Sequence, residues 1–145
     1  MTKNVRDMMS AKIQTIRSSE TAKDAAKKMV DKNVSSLIVV DNDEQSMGII
    51  TERDIARGVC IHDAFSKDFK VHHLMCSPLS AIDPNSSTEE AANLMLQYKV
   101  RHLLVKDGDR TLGIITASNF IDYLNEQLDL DDPKAKVLKT LKDQV

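Results

Sequence analysis

Two short segments of the chain place a threonine directly after an apolar run and a polar side chain three residues later. They are residues 48–54, GIITERD, and residues 113–119, GIITASN. The apolar run is typical of a buried strand, and a helix is expected to begin at the threonine. A helix N-terminus presents unpaired N–H groups that attract phosphate, and a threonine hydroxyl there can donate to a phosphate or a sugar oxygen. The two segments therefore favour recognition of a nucleotide-like ligand.

The side chains around the two threonines refine this chemistry. Asp54 can accept from two vicinal ribose hydroxyls because a carboxylate has two oxygens, and Gly48 would let a flat ring approach the backbone. The alternative is structural, since Thr51-x-x-Asp54 is also a capping box that only begins a helix. Thr116-x-x-Asn119 is a weaker relative of that box. Repetition of the pattern at the end of two similar strands favours the functional interpretation.

The two segments occupy equivalent positions in a chain that repeats itself. A shift of 66 residues places Met9 on Met75 and Val39 on Val105, and further matches keep this order with a single one-residue gap. Chance does not preserve such an order, so we interpret the chain as a tandem duplication. The predicted boundaries are a first repeat at 1–62, a connector at 63–70, a second repeat at 71–128 and a C-terminal helical extension at 129–145.

Each repeat has the pattern of a β-α-β-β-α unit. Alternation over residues 13–16 predicts a short strand, and an apolar stripe along residues 22–30 predicts a helix. Residues 37–40 and 48–51 predict two further strands, and a second helix begins at the threonine. We therefore expect an α/β (α+β) fold in which two such units close on each other about a pseudo-twofold axis.

A further helix is predicted after the second repeat. Asp132 followed by Pro133 is typical of a helix start. The apolar positions that share one face of this helix are Ala135, Leu138, Leu141 and Val145. Docking on the body of the protein and contact with a second copy are both consistent with so short a stripe.

Composition excludes several classes of function. The 20 basic and 22 acidic residues leave a net charge of −2, which disfavours general nucleic-acid binding. No tryptophan is present, and two tyrosines and three phenylalanines offer no base-stacking platform. No apolar run could span a membrane, the opening lacks the apolar core of a signal peptide, and two cysteines form no disulfide framework. We predict a cytoplasmic protein with no membrane partner.

Cysteines and histidines near the connector offer an alternative chemistry. Cys60, His62, His73 and Cys76, with His72 adjacent, could supply the four ligands of tetrahedral zinc if the connector folds back. Their spacing differs from the familiar finger and ribbon patterns. Metal or redox sensing is therefore one alternative hypothesis, and a ligand-free dimeric interaction scaffold is another.

Motifs of the common catalytic sites are absent from the sequence. It contains no nucleophile elbow, no P-loop, no GxGxxG and no carboxylate pair with a plausible base. We therefore predict that the protein is not an enzyme and requires no cofactor.

The ordered set of these motifs resembles a known family. The matching segments are GIITERD and GIITASN, the openings VRDMM (5–9) and VHHLM (71–75), and VRHLLV (100–105). Over residues 5–125 the chain is similar to a tandem pair of cystathionine-β-synthase-type (CBS) domains, the Bateman module. The resemblance implies two βαββα units packed sheet against sheet, and pairs that assemble into disc-like dimers.

The resemblance also implies a regulatory rather than a catalytic function. The family typically binds adenosine-containing ligands, such as AMP, ADP, ATP, S-adenosylmethionine, NAD-type or cyclic dinucleotides, in clefts between the two repeats. We therefore expect a sensor that relays occupancy through conformation or assembly. Its expected partners are this small molecule, a second copy of the chain and a separate effector protein.

Site residues follow from the resemblance position by position. Asp54 matches the family's ribose-binding aspartate and Thr51 the hydroxyl beside it, while Asn119 and Thr116 hold the same places in the second repeat. Asn119 departs from the family's aspartate. An amide accepts through only one oxygen and brings no charge, so we expect the second site to be absent or to differ in selectivity.

Contacts to the rest of the nucleotide are also implied. Arg101 and His102 match positions of phosphate-contacting side chains, where the first repeat has Ser35 and Ser36; on the residues alone, both could be ordinary surface side chains. Adenine is expected against the segments that enter the first strands: Lys12, Ile13, Pro78 and Leu79. We expect one nucleotide per chain, with the choice of cleft left open.

Overall fold

The protein forms two compact units, each built around its own three-stranded sheet. The computed structural model describes residues 3–63, 65–77 and 79–127 and the single positions 133, 137, 140, 141 and 144. The elements in chain order are α1 (Val5–Met8), β1 (Thr15–Arg17), α2 (Ala22–Lys32), β2 (Ser36–Val40), β3 (Ser46–Thr51), α3 (Glu52–Ile61), a 3₁₀ turn (Ser66–Asp68), α4 (Val71–Leu74), β4 (Ala81–Ile82), α5 (Thr88–Tyr98), β5 (His102–Asp107), β6 (Arg110–Thr116) and α6 (Ala117–Gln127).

Each unit has a junction where a strand ends at a threonine and a helix begins. We name the unit by the polar residue three positions after that threonine, Asp54 or Asn119. The Asp54 unit comprises Ile13–Leu79, and the Asn119 unit comprises Met1–Lys12 together with Ser80–Val145. In the Asp54 unit the sheet order is β1-β2-β3, with β1 parallel and β3 antiparallel to β2. The Asn119 unit repeats this arrangement with β4-β5-β6. The predicted βαββα order and mixed α/β class are therefore confirmed in each unit.

Matching apolar positions fill the two cores, as the duplication predicts. The core of the Asp54 unit is formed by Ile16, Ala25, Met29, Leu37, Val39, Ile50 and Val71. That of the Asn119 unit is formed by Val5, Met8, Ile82, Ala91, Met95, Leu103, Val105 and Ile115. The central strand β2 is buried at four of its five positions and β5 at three of its six, Leu103–Val105, and the buried positions of both are apolar.

The equivalent helices α2 and α5 both end at a residue in the left-handed conformation. Helix α2 begins at the capping box of Thr21 and Asp24 and ends at Asn33, whose φ is 53°. Helix α5 ends at Lys99, whose φ is 54°. Asparagine adopts this conformation more readily than lysine, so the two repeats share a backbone geometry that only the first fills with a well-suited side chain.

Each unit is completed by a segment that precedes the other repeat in sequence. Ser10, just after α1, pairs with Ile114 of β6 through backbone bonds of 2.9 and 3.0 Å. Cys76, just after α4, pairs with Ile49 of β3 through bonds of 2.8 and 3.0 Å. The compact units therefore divide the chain differently from the sequence repeats: residues 3–12 belong with the second sheet.

The C-terminal extension is described only in part. Asp132, Ala135, Leu138 and Val145 of the predicted helix lie outside the described residues. Pro133, Val137, Thr140 and Leu141 are helical, and the side chains of Val137 and Leu141 are exposed. In the described part of the chain no helix combines the length and the apolarity needed to cross a bilayer.

Candidate functional site

The junction between β3 and α3 places Thr51 and Asp54 together as predicted. Thr51 donates to Oδ2 of Asp54 through both its N–H and its hydroxyl, each at 2.9 Å, and the Asp54 N–H donates back to the hydroxyl at 3.2 Å. This is a complete capping box, so the structural interpretation of these residues is confirmed. It engages only one of the two carboxylate oxygens.

The second oxygen of Asp54 has a different neighbour. The Cys76 thiol lies 3.7 Å from Oδ1, and the backbone pairing of Cys76 with Ile49 delivers it there. Partial burial and the nearby carboxylate raise the pKa of this thiol, while Arg57 acts in the opposite direction. At neutral pH the sulfur therefore keeps its proton and acts as a weak donor to Asp54.

The equivalent junction in the Asn119 unit has the same backbone but a different chemistry. Thr116 donates to the Asn119 amide oxygen through its N–H at 2.8 Å and its hydroxyl at 3.2 Å. The cap thus uses the only side-chain oxygen that Asn119 has, and the other end of the side chain is an NH₂ donor. Ser10 takes the place of Cys76 by pairing with Ile114.

Arg101 and His102 lie at the start of β5, beside this second junction. His102 pairs with Thr116 in the sheet, and the Arg101 carbonyl accepts from the N–H of Ala117 at 3.0 Å, where α6 begins. The side chain of Arg101 is exposed and that of His102 half-buried. The structure therefore brings the two basic residues to the same sheet edge as Thr116 and Asn119.

In the Asp54 unit, serines take the places of these basic residues. Ser36 pairs with Thr51, and the Ser35 carbonyl accepts from the N–H of Glu52 at 3.1 Å. One junction thus has an acid flanked by hydroxyls and a thiol, whereas the other has an amide flanked by two basic side chains.

The residues expected to contact adenine are divided between the two units. Lys12 is exposed and belongs to the Asn119 unit, and its N–H donates to the Ser10 hydroxyl at 3.3 Å. Ile13 and Leu79 are half-buried and belong to the Asp54 unit. Pro78 lies outside the described residues. A ring-binding function for these positions stays a prediction.

Gly48 and Gly113, at the two junctions, lie beside another segment of the backbone. The sequence suggested instead that glycine here lets the flat ring of a ligand approach. A Cβ at Gly48 would lie 2.5 Å from the Cys76 carbonyl oxygen, and one at Gly113 would lie 2.6 Å from that of Ser10. The space beside each glycine is therefore filled by the crossing segment of the protein itself. Glycine is required here for close packing of backbone on backbone.

The candidate zinc ligands do not assemble. Among the described residues no three His, Cys, Asp or Glu side chains gather as a metal ion would require. Nδ1 of His72 lies 2.9 Å from the Ser18 carbonyl, and the ring of His62 packs 5.6 Å from that of Phe69. The structure therefore does not form the four-ligand site suggested by Cys60, His62, His73 and Cys76.

Sequence reasoning missed Cys76 as a neighbour of Asp54. The duplication aligns Cys76 with Ser10 but does not show that either residue crosses a junction glycine. One usable signal was the pair of glycines at equivalent positions in otherwise well-formed strands, since a strand glycine often marks a close backbone approach.

Comparison with known proteins gives a consistent result. The model of the family described as CBS domain matches residues 5–60 and 71–126. The CBS domain-containing protein YhcV of Bacillus subtilis is 30% identical over 112 residues, 77% of this chain and 79% of that protein. A structure of a protein with CBS domains from Burkholderia ambifaria is 31% identical, with a TM-score of 0.78, and the match covers 90% of this chain and 100% of that one. The hexameric CBS-CP12 protein of bloom-forming cyanobacteria is 32% identical, with a TM-score of 0.76, over 88% of this chain and 76% of that one.

Proposed function

This chain belongs to the CBS-domain family as a tandem pair of regulatory, signal-transduction-type modules, and we propose that it senses an adenosine-containing ligand. Oδ1 of Asp54 is the observation that carries the proposal. The capping bonds use Oδ2 alone, so the junction retains an acceptor that a cap does not require. A ribose diol supplies the matching pair of donors.

The Asp54 junction is the better place for the sugar. Its carboxylate can accept from ribose hydroxyls, whereas Asn119 has committed its only side-chain oxygen to the cap of α6. The Asn119 junction instead combines Arg101, His102 and a helix N-terminus, a set that suits an anion such as a phosphate. We therefore propose one nucleotide per chain with its ribose on Asp54.

Occupancy is proposed to act on a separate protein through conformation or assembly. Ligand that binds one arrangement of the chain better shifts the population toward that arrangement. Val30 and Leu96 support self-association, because these large apolar side chains are 80% and 77% exposed at equivalent positions of α2 and α5. The CBS-CP12 relative forms hexamers, and we propose at least a homodimer here.

A thermal-shift panel tests the proposal directly. Purified protein is heated with AMP, ADP, ATP, S-adenosylmethionine, NADH and cyclic dinucleotides. A compound present at about 100 times its Kd adds about 2.7 kcal/mol of stability, which raises the Tm by several degrees. A flat panel with folded protein would contradict the proposal and favour an interaction scaffold. Light scattering with and without the active compound then tests assembly.

A further inference from the structure

The contacts of Asp54 can be divided oxygen by oxygen. Asp24 forms the same capping box with Thr21, whose N–H and hydroxyl donate to Oδ2 of Asp24 at 3.0 and 2.8 Å. In the boxes of α1, α2 and α3, the capping aspartates Asp7, Asp24 and Asp54 each accept the bonds from the cap residue on Oδ2. The contact to Oδ1 of Asp54 is additional, and helix capping does not explain it.

The backbone of Cys76, whose thiol makes this contact, is held on both sides. Cys76 exchanges two backbone hydrogen bonds with Ile49, and its carbonyl packs where Gly48 has no side chain. The neighbouring Met75 sulfur would lie 3.1 Å from a Cβ at Gly48. Because the backbone of Cys76 is fixed on both sides, only rotation of its side chain can move the sulfur away from Asp54.

A vicinal diol would compete with this thiol. Each carboxylate oxygen accepts about two hydrogen bonds, and Oδ2 already accepts two from Thr51. Two sugar hydroxyls must therefore share Oδ1, where the thiol occupies one position. A thiol is a weak donor, so its replacement by a hydroxyl is favourable.

We infer that Cys76 sets the affinity and sugar selectivity of the Asp54 junction by occupying Oδ1 in the free protein and yielding it to a ribose hydroxyl on binding. The inference rests on the proposed function and names a specificity-determining residue within it. Serine at this position would compete more strongly with the sugar, and alanine would not compete.

Calorimetric titration with AMP and with 2′,3′-dideoxy-AMP tests this inference. The measured quantity is the ratio of the dideoxy Kd to the AMP Kd in wild type, Cys76→Ser and Cys76→Ala. We expect the ratio to fall about three- to tenfold in Cys76→Ser and to rise about two- to fivefold in Cys76→Ala. Ser10→Ala, at the equivalent crossing of the Asn119 unit, is the matched control and should leave the ratio unchanged.

The rate of thiol alkylation in wild-type protein is a second test of the inference. Both thiols are exposed in the free protein. AMP should slow the reaction of iodoacetamide with Cys76, because the ribose that takes Oδ1 would lie against the sulfur, and should leave that of Cys60 unchanged, as measured by mass spectrometry. An equal ratio in all Cys76 variants, or parallel changes for both nucleotides, overturns the inference while the proposed function stands. If no compound of the thermal-shift panel, AMP included, binds wild-type protein, both the function and the inference fail.

Discussion

The Asp54 and Asn119 junctions share a backbone and differ in chemistry. In both, a threonine donates through its N–H and hydroxyl to the side chain three residues on, a glycine lies beneath a crossing segment and a helix begins at once. One keeps a carboxylate oxygen beyond the needs of its cap, whereas the other has used its single amide oxygen. The two repeats therefore share the contacts that the fold requires and differ in the polar groups left over, so substitutions at matched positions separate structural effects from the proposed binding.

The largest effect is expected from filling the glycine beneath either crossing. Gly48→Ala and Gly113→Ala should each lower the free energy of unfolding by about 2–3 kcal/mol, because the new Cβ would meet a backbone carbonyl. Urea denaturation measures the change. Gly108→Ala is the control: its φ is 61° and its surroundings are open, so only about 1 kcal/mol is expected. A loss at Gly48 no larger than at Gly108 would contradict the packing argument.

Asp54→Asn makes the first junction chemically similar to the second. AMP affinity should fall about tenfold or more, because a hydrogen bond to a charged group contributes about 1.5–3 kcal/mol. Calorimetry measures the loss. Asp24→Asn alters the equivalent capping box at α2 and should leave AMP affinity unchanged. Equal affinity in wild type and Asp54→Asn, with the fold intact, would remove Asp54 from the site.

Removing the threonine caps separates stability from binding within one unit. Thr21→Ala and Thr51→Ala should each cost about 1 kcal/mol of stability, since both remove an N-cap hydroxyl. Only Thr51→Ala should also weaken AMP, by releasing the carboxylate from its fixed orientation. Thermal unfolding and calorimetry on the same samples measure both effects. A matching loss of affinity in Thr21→Ala would show that the effect is indirect.

The smallest effect concerns the titration of Cys76. Its pKa is raised in the folded protein, so its stabilising contribution is present below the ordinary thiol pKa of 9.0 and is lost as the pH rises through the folded value. Asp54→Asn removes one cause of the shift and should move the alkylation profile of Cys76 to lower pH. Rates with iodoacetamide between pH 7 and 10 measure this, with Cys60 as the internal reference. An unmoved profile would show that the carboxylate does not act on the thiol.

The contribution of Asp24, in the cap of α2, to stability changes with pH in the opposite direction from that of Cys76. The bonds from Thr21 lower the pKa of Asp24 below its model-compound value of 3.8. Its contribution is therefore present above that value and is lost as the pH falls through the folded pKa. Asn119, which does not titrate, offers no such contribution to the cap of α6. Acid unfolding of wild type against Asp24→Asn checks the difference.

Local sequence patterns predicted the elements of both units but not how the units are completed. The strand and helix positions follow from side-chain periodicity and from Thr-x-x-Asp boxes, which act over a few residues. The crossing that joins Ser10 to Ile114 spans more than a hundred residues and leaves no local pattern. The contact of Cys76 with Asp54 depends on the second crossing, and a strand glycine that marks such an approach does not tell which segment fills the space.

The positions of the candidate site residues relative to one another were predictable to the same extent. The capping partners Thr51 and Asp54 are adjacent on one helical turn, so spacing alone places them together. His102 pairs with Thr116, and Arg101 precedes it, because β5 and β6 pair in the register that the duplication implies. The glycines were correctly singled out but wrongly explained, since a strand glycine accommodates a ring or a backbone equally well.

Helix α1 begins the first repeat but completes the core of the Asn119 unit, and α4 begins the second repeat but completes the core of the Asp54 unit. The two halves of the chain therefore depend on each other to fold. A chain cut after Asp63 would give one fragment that carries Val5 and another that carries Val71, and each valine is fully buried in the core completed by the other fragment's strands. Each fragment therefore lacks part of the core that its own strands form, including Val71 in the first fragment and Val5 in the second. Recovery of the fold after such a cut becomes a bimolecular complementation reaction, faster at higher fragment concentration, which makes this connector a natural position for a split-protein reporter.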